Sequence, residues 1–286
     1  MGRRVLVVLA MAAAAASTAL GADQTCDRAC LKGLIDSYLD AMASHDASKL
    51  PITASAKFTE NGKVAKLGEG FWKTAGASTY RLYALDPSHG DAAVQAVVKE
   101  NGEPVIFMVR LKIDQKKIQE AETIVCRKGD ESFFAPEKLT EAPMVFSQAV
   151  PRADRSTREQ LMAIADAYFT AIQTEGSTDY KPAPLASEAN RFENGVQTTN
   201  VPVFQFPAMS ASEQLDKGIF KPLSVGHRRY VVADAQNGVV LAIVLMHAPG
   251  PADILIGEMF KVSGGKIRRI HAFMFDEKNG ASTGWN

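Results

Sequence analysis

The clearest pattern in the chain is a pair of apolar runs near its end, separated by a short turn. Residues 254–262 and 267–275 are rich in β-branched and aromatic side chains and contain no proline. Ser263, Gly264 and Gly265 lie between them, and glycine reaches positive φ without a Cβ clash. Apolar residues occupy both sets of alternating positions, which is typical of strands covered on both faces. The pattern therefore predicts a buried β-hairpin.

A helical pattern precedes strand-like runs in each half of the chain. In residues 31–42 apolar positions recur at spacings of three and four along one face, and Asp27 is suited to cap this helix. Residues 157–172 repeat the pattern after a segment, 131–155, that is rich in proline, serine and charge and has no clean period. Helices followed by long antiparallel strands indicate an α+β fold. Further strands are predicted at 79–85, 92–99, 104–113 and 117–126.

The same order of elements occurs twice, which predicts a tandem duplication. Matching positions drift apart steadily, as insertions in the second copy would produce: Leu31 with Leu161, Gly62 with Gly195, Arg81 with Arg228, and Ile118 with Ile267. We expect a first domain at 26–135, a linker at 136–155 and a second domain at 156–286, each domain being long enough for its own core. One interpretation of the repeat is a fused pseudo-dimer, packed sheet to sheet.

The composition excludes few functions, and the N-terminal sequence pattern predicts where the protein is located. Of the 286 residues, 46% are hydrophobic and 22% are charged, as in an ordinary globular protein. The formal net charge is zero and no long basic run occurs, so no nucleic-acid partner is expected. The chain begins with a short basic segment, an apolar run too short to span a membrane, and small residues suited to cleavage. Residues 1–22 are therefore predicted to be a signal peptide, and the protein to be exported, periplasmic or extracellular, with no membrane association after cleavage.

The three cysteines fit this location, because an exported protein can retain a disulfide. Cys126 ends a predicted strand, whereas Cys26 and Cys30 flank the start of the first helix. We expect Cys126 to pair with Cys26 or Cys30, and the alternative is three partly buried free thiols. The spacing of Cys26 and Cys30 lacks the further ligands of a zinc site, so no metal is expected.

A family resemblance rests on the helix with Tyr168, the Phe-Glu-Asn-Gly sequence at 192–195 and the terminal hairpin. Each half resembles the nuclear transport factor 2-like (NTF2-like) superfamily of SnoaL-like, ketosteroid isomerase-like and scytalone dehydratase-like proteins. The resemblance implies two cone-shaped domains, each a curved, mostly antiparallel sheet wrapped around N-terminal helices. The chain is also similar to a largely uncharacterised secreted family with two such units, through Cys26-DRACL, Leu67-GEGFW and the closing Ser282-TGW. This resemblance brings no established reaction.

His271 is the first candidate for catalysis, since a histidine in a half-buried cavity can act as a general acid or base near neutral pH. Glu122 holds the matching position in the first copy and is a second candidate, while Arg228 or Tyr168 is the predicted oxyanion partner. The alternative for His271 is a satisfied core histidine or a surface residue. Glu258 stands out in the same hairpin, in phase with apolar neighbours, but no role is assigned to it.

Four further residues are candidates for substrate binding: His247, Tyr38, Arg81 and Asp166. Each has a structural alternative. His247 suits the polar end of a strand, and Tyr38 lies on an apolar helix face where aromatic residues are usually core. Arg81 can form a structural salt bridge, for example with Asp86, and Asp166 can be the partner of a matched arginine.

No glycine-rich phosphate loop, nucleophile elbow or histidine–carboxylate cluster at metal spacing occurs, so no cofactor is expected. Proton abstraction, elimination, isomerisation and retro-aldol cleavage remain, because a protein cavity performs these unaided. We predict an exported, cofactor-independent lyase or isomerase that acts on a small hydrophobic, aromatic molecule. The alternative is a small-molecule-binding protein without turnover. A homodimer is a further expectation.

Overall fold

The protein consists of two similar α+β domains in tandem. The computed structural model describes residues 25–249, 252–278 and 282–285, so the predicted signal peptide lies outside the described residues. The first domain comprises α1 (Arg28–Ala43), β1 (Ile52–Glu60), β2 (Lys63–Ala65), β3 (Ala75–Asp86), β4 (Asp91–Glu100), β5 (Glu103–Asp114) and β6 (Lys117–Cys126). The second comprises α2 (Arg158–Thr174), β7 (Leu185–Glu193), β8 (Val196–Gln197), α3 (Ala211–Asp216), β9 (Ser224–Asp234), β10 (Val239–His247), β11 (Ala252–Ser263) and β12 (Lys266–Lys278).

The two domains have the same six-stranded sheet. The strand orders are β2-β1-β6-β5-β4-β3 and β8-β7-β12-β11-β10-β9. All neighbouring strands run antiparallel except the parallel pairs β1–β6 and β7–β12. Even the irregularity in the last hairpin recurs, between Lys112 and Ile113 in one copy and between Lys261 and Val262 in the other. The predicted α+β class, the hairpin and the duplication are confirmed.

Each sheet wraps around its N-terminal helix, because the helix presents one apolar face to the concave side. Asp27 caps α1 by accepting from the Cys30 backbone N–H, as predicted, and Thr157 caps α2 in a capping box with Gln160. Burying a large apolar side chain contributes about 1.5–3 kcal/mol, so these faces hold the helices in place. The buried helix residues are Leu31, Ile35, Tyr38, Leu39, Ala41 and Met42 in α1, and Leu161, Ala165, Tyr168, Phe169, Ala171 and Ile172 in α2.

The convex faces of the two sheets pack against each other through a third apolar core. Leu82 and Ile124 of the first sheet and Leu241 and Leu255 of the second belong to it. The contacts are reciprocal. The equivalent strands β3 and β9 pack against each other, as do the equivalent strands β6 and β12. The contact of β5 with β12 is matched by the contact of β11 with β6. A two-fold axis produces this reciprocity in an isologous dimer. The predicted pseudo-dimer, packed sheet to sheet, is therefore present within one chain.

Ion pairs between the domains are related by the same two-fold symmetry. Arg28, at the start of α1, donates to both carboxylate oxygens of Asp234 at the end of β9, at 2.7 and 2.8 Å. Arg158, at the start of α2, donates to Asp86 at the end of β3, at 3.0 Å. Each aspartate is buried, so each pair fixes the helix of one domain to the sheet of the other.

Segments that follow the last strand of each domain cross to the other domain. Gly62 has φ +73° and a Cβ there would lie 1.7 Å from the carbonyl oxygen of Ser282. Gly195, its equivalent, has φ +88° and a Cβ would lie 2.3 Å from the carbonyl oxygen of Ala135. Both glycines are thus required by backbone conformation and by the close approach of the crossing segment.

The connection between the domains is packed rather than loose. Residues 136–155, predicted as the linker, contain short 3-10 helices, and their Leu139, Phe146 and Val150 side chains are buried. Phe146 enters the core between the sheets. The boundaries at 26–135 and 156–286 stay a prediction. None of the helices in the described part of the chain has the length and apolar character that crossing a membrane requires.

The predicted cysteine pairing is wrong. Cys26 and Cys30 form the disulfide, with their Cα atoms 5.2 Å apart at the N-terminus of α1. Cys126 is a buried free thiol whose sulfur accepts from the Asn194 side chain at 3.5 Å. Cys26 precedes the N-cap residue Asp27 and Cys30 lies in the first helical turn, so the start of α1 holds the two close together, whereas Cys126 is buried at the end of β6 beside the second domain.

Candidate functional site

The cone of the second domain encloses a cavity of about 140 Å³ between α2 and the concave face of the sheet. Its wall is largely apolar, and its polar groups are three carboxylates and one tyrosine. Residues that follow β6, Glu131 and Phe133, and residues of the α3–β9 segment complete the wall. The lining residues are Glu131, Phe133, Tyr168, Ile172, Glu193, Phe220, Leu223, Met246, Ile254, Ile256, Glu258, Ala272 and Met274.

Arg191 lies on β7 beside this cavity and is 4% exposed. Its guanidinium is bound on every nitrogen: it donates to Tyr168 at 3.3 Å and to Gln214 at 2.6 Å, and its Nε lies 3.2 Å from Thr198 and 2.7 Å from Glu193. Burial lowers the pKa of Arg191, but the neighbouring acidic groups raise it by more. The pKa of Arg191 therefore lies above its usual value. Arg191 is therefore a fixed cation in the cavity wall.

Glu258 lies on β11, separated from the strand of this cation by β12, and is 3% exposed. Burial raises the pKa of Glu258 to about 8; the charge of Arg191 opposes this shift and that of Glu193 adds to it. No hydrogen-bond partner for its carboxyl group occurs in the parts of the chain that the structure describes. Glu258 thus exchanges a proton near neutral pH and has lone pairs free for a ligand.

Two further carboxylates line the cavity. Glu193, at the end of β7, holds the Nε of Arg191 at 2.7 Å. Glu131 lies in the segment after β6, and burial, assisted by the charge of Asp276, raises its pKa to about 7 although the Phe133 backbone N–H donates to it. The cavity therefore contains two carboxyl groups that titrate near neutral pH.

Tyr168 is held rigidly on α2. Its ring packs edge-on against Phe169 and Phe260 at centroid distances of 5.4 and 5.3 Å. Its oxygen accepts from Arg191, which leaves the phenolic hydrogen free to donate. Burial raises the pKa of Tyr168 and the charge of Arg191 lowers it. Burial has the larger effect, so the pKa of Tyr168 is raised overall and the hydroxyl is a neutral donor.

The first cone has no equivalent polar set. Phe58 and Arg191 are equivalent, since they pair with Ala121 and Ile270 at matching places in the two sheets. By the same comparison Val109 is the equivalent of Glu258. The Tyr38 oxygen, equivalent to that of Tyr168, accepts instead from the Trp72 indole at 3.1 Å. The first cone keeps a carboxylate, Glu60, the equivalent of Glu193, which accepts from the Phe71 backbone N–H at 2.9 Å, but the Arg191 and Glu258 positions are apolar there.

His271 and Glu122 lie outside both cones, on the sheet faces that meet between the domains. His271 is 2% exposed, and burial and the charge of Arg269 lower its pKa to about 3. It is therefore neutral near pH 7. Glu122 forms an ion pair with Arg229 of the second domain, and burial raises its pKa against the effect of that arginine. The structure does not bring His271 together with Arg228 or Tyr168.

The matched arginines hold helix to sheet. Arg81 donates to Asp36 at 2.6 Å, and Arg228 donates to Asp166 at 3.2 Å and to Thr170 at 2.8 Å. Neither Arg228 nor Asp166 lines the cavity, and Asp36, not Asp86, is the partner of Arg81.

The remaining two candidates also lie away from the cavity. His247 ends β10, is 47% exposed and contacts Asp253 at 2.8 Å. Tyr38 is part of the core of the first domain. Of the eight residues predicted from the sequence, only Tyr168 lines the cavity of the second cone.

Arg191, Glu193 and Glu131 were missed by the sequence interpretation, and Glu258 was noticed without a role. A signal for two of them was present. In the second copy Arg191 stands where the first has Phe58, and Glu258 stands where the first has Val109. Two opposite charges thus occupy positions that are apolar in the first copy. Buried charges occur mainly where they are paired or functional.

A family model described as "Domain of unknown function (DUF8021)" matches residues 24–125 and 154–274. The chain belongs to this family. The two matched segments correspond to the two copies of the sheet and its helix. Together with the strand order and the helix in each cone, they confirm the predicted tandem duplication of one α+β fold. Among curated proteins no match to the chain was found.

Several solved structures are similar to one domain's length of the chain. A protein of unknown function with a cystatin-like fold from Methylobium petroleophilum is 14% identical, covers 38% of this chain and 84% of its own, and has a TM-score of 0.32. A putative ketosteroid isomerase from Kribbella flavida is 15% identical over 43% and 83% of the two chains, with a TM-score of 0.32. A putative polyketide cyclase from Silicibacter sp. is 13% identical over 34% and 90%, with a TM-score of 0.28. These likenesses carry no argument about activity.

Proposed function

We propose that the cavity of the second domain is the active site of a cofactor-independent lyase or isomerase for a small hydrophobic, aromatic molecule. The observation that carries the proposal is Glu258, a buried carboxyl group without a hydrogen-bond partner among the described residues. A general acid or base is most effective when its pKa lies near the working pH, and that of Glu258 is about 8.

In the proposed reaction, ionised Glu258 removes a proton from the carbon beside a substrate carbonyl group. Tyr168 donates its phenolic hydrogen to the carbonyl oxygen, where negative charge develops. Arg191 is a positioning residue, because its guanidinium orients Tyr168 and balances the charge of Glu193. Return of the proton to another carbon completes an isomerisation, and departure of a leaving group from the next carbon completes an elimination.

The cavity limits the size of the substrate. At about 140 Å³ it is close to the roughly 150 Å³ cavity that accommodates benzene in an apolar protein core. A single ring with one polar substituent therefore fits it, with the ring against Phe133, Ile172 and Met246.

A small-molecule-binding protein without turnover is the second candidate. The observation that favours it is that every guanidinium nitrogen of Arg191 already has a protein partner. Binding an apolar ring needs only the apolar wall and one polar contact.

Export and self-association are proposed on separate grounds. The pattern at 1–22 supports export, and a disulfide between Cys26 and Cys30 fits an oxidising compartment. Sequencing the N-terminus of the protein recovered after secretion tests this, and an intact residue 1 would contradict it. A homodimer stays a prediction that sedimentation analysis can check.

Exchange of carbon-bound hydrogen in D₂O tests the proposed proton transfer without knowledge of the product. A panel of small aromatic and cyclic ketones is incubated with the protein, and loss of the C–H signal is followed by NMR. We expect exchange or turnover with the natural protein, rising with pH through about 8. Glu258→Gln should reduce it by about 10²–10⁴-fold.

Glu103→Gln is the matched control, since Glu103 is an exposed glutamate on β5, the first-domain equivalent of the strand that carries Glu258. It should leave exchange unchanged. Turnover that survives Glu258→Gln would remove the proposed role of Glu258. Saturable binding of panel members without exchange would favour the second candidate.

A further inference from the structure

A second cavity, of about 480 Å³, lies between the domains and is separate from the cone. Its wall combines Tyr80 of the first domain, the connection between the domains, and residues of β7 and β12 in the second. Arg269 and His271 of β12 project into it. The lining residues are Tyr80, Lys138, Leu139, Glu141, Pro143, Phe192, Gly195, Val196, Gln197, Val201, Pro202, Arg269 and His271.

Two buried polar groups in this wall have no partner among the described residues. The hydroxyl of Tyr80 and the Nδ1 of His271 make no hydrogen bond there, although each residue is only 2% exposed. An unsatisfied buried polar atom costs about 1–3 kcal/mol. Two of them at one cavity indicate a bound group that satisfies both.

The proton on His271 can be placed from its neighbour. Arg269 Nε carries a hydrogen and lies 3.0 Å from His271 Nε2, so Nε2 accepts. The neutral ring therefore carries its hydrogen on Nδ1, the unpartnered atom. Rings on two sides, Phe146 at 5.3 Å and Phe192 at 5.0 Å, fix its orientation. His271 thus presents a donor and not a base.

Arg269 adds an uncompensated positive charge. Its guanidinium lies over the Phe192 ring at 4.3 Å. Burial lowers the pKa of Arg269, and among the described residues the group that opposes this shift is Tyr80, not a carboxylate. Of the other charged residues in the wall, Lys138 and Glu141 are both exposed and of opposite sign. The cavity therefore carries a net charge near +1.

We infer that this interdomain cavity binds a small organic carboxylate with a flat apolar body. A carboxylate accepts two parallel hydrogen bonds from a guanidinium, and its oxygens also accept from the Tyr80 hydroxyl and from His271 Nδ1–H. The single negative charge matches Arg269. Phe192, Leu139 and Pro202 form apolar walls for the body of the ligand. The site requires both domains, which gives the pseudo-dimer a function that neither cone performs alone.

Benzoate is the probe, and benzamide is its neutral counterpart of the same shape. Calorimetric titration of the full chain at constant ionic strength should show benzoate binding at least about tenfold more tightly than benzamide. Arg269→Gln should abolish this preference. Tyr80→Phe should weaken benzoate about two- to tenfold, while the melting temperature without ligand stays equal or rises because a buried unsatisfied hydroxyl is removed.

Glu258→Gln locates the binding, because it changes the cone and leaves the interdomain cavity intact. Benzoate affinity unchanged in Glu258→Gln and reduced in Arg269→Gln supports the inference. Equal affinity for benzoate and benzamide, no binding, or loss of binding in Glu258→Gln alone would overturn it. Tighter binding of inorganic phosphate than of benzoate would also overturn it, since the site would then prefer a different class of anion.

Discussion

Glu258 shows how one substitution between copies changes the chemistry of a cone. Val109, its equivalent, is fully buried in the apolar core of the first domain. A carboxyl group at that depth is disfavoured when ionised, so it retains its proton to a higher pH. Arg191, in place of Phe58, offsets part of this effect without forming a direct hydrogen bond to Glu258. The two changes together place a fixed cation and a titratable carboxyl group in an apolar pocket.

The pKa of Glu258 predicts a pH-dependent stability. It is raised from 4.5 to about 8, so the folded state binds more protons than the unfolded state between these values. The contribution of Glu258 to stability therefore falls as pH rises through this window and is constant above it.

Glu258→Gln removes this ionisation while preserving shape. Near pH 4.5 the variant and the natural protein should differ little in free energy of unfolding. By pH 9 the variant should be more stable by on the order of 4 kcal/mol. Urea unfolding across this range measures the difference, and a difference independent of pH would contradict the raised pKa.

At the scale of elements, the Glu-Asn-Gly turns join each domain to the segment that crosses from the other. Asn61 and Asn194 adopt positive φ, and their side chains bond the backbone of Val125 and Met274 as an additional strand would. The glycine that follows leaves room for the crossing segment. The same turn thus ends one strand pair and seats the other domain's segment.

Gly195→Ala should displace the crossing segment at Ala135. Its Cβ would lie 2.3 Å from a backbone carbonyl oxygen, and its φ is +88°. Gly265→Ala is the matched control, because Gly265 has φ +70° but nothing within 4 Å of its Cβ. The control should lose about 1 kcal/mol from backbone conformation, and Gly195→Ala about 3 kcal/mol or more. Thermal unfolding compares them, and equal losses would show that the contact is unimportant.

At the scale of the whole molecule, the pseudo-two-fold axis passes where equivalent positions meet. Met108 and Gly257 are equivalent, and a Cβ on Gly257 would lie 2.1 Å from the Met108 sulfur. Gln95 donates to the carbonyl groups of Gly257 and His271, both at 2.9 Å. The first domain supplies the large Met108 side chain, and the second domain supplies the space at Gly257. The two sheet faces are therefore complementary at this point although the residues differ.

A rescue experiment tests this fit. Gly257→Ala should destabilise the protein by about 1–3 kcal/mol through overpacking, and Met108→Ala by about 2–5 kcal/mol through the cavity it leaves. In the double variant the alanine at 257 occupies part of that cavity, so its loss should be smaller than the sum. Thermal unfolding of the four proteins gives the coupling, and additive losses would contradict the contact.

The sequence by itself determined the elements and their repetition. Helical spacing in α1 and α2, the Asp27 cap, the glycine turn of the last hairpin and the strand runs are local patterns, and each depends on residues a few positions apart. The drift between copies determined the duplication, since it needs only the order of matching segments. The α+β class followed from these patterns, whereas the cone-shaped form of each domain was implied by the resemblance to the NTF2-like superfamily.

Only the tertiary structure decided which face of each strand enters the cone. In β11 and β12 both faces are apolar, so a period of two separates Glu258 from His271 but does not say which one lines the cavity. Packing against the other sheet buries the face of His271, and packing around α2 encloses the face of Glu258. The disulfide was decided in the same way, because pairing depends on distances in space. The proposed active site therefore lies on the face of the last hairpin opposite to that of His271.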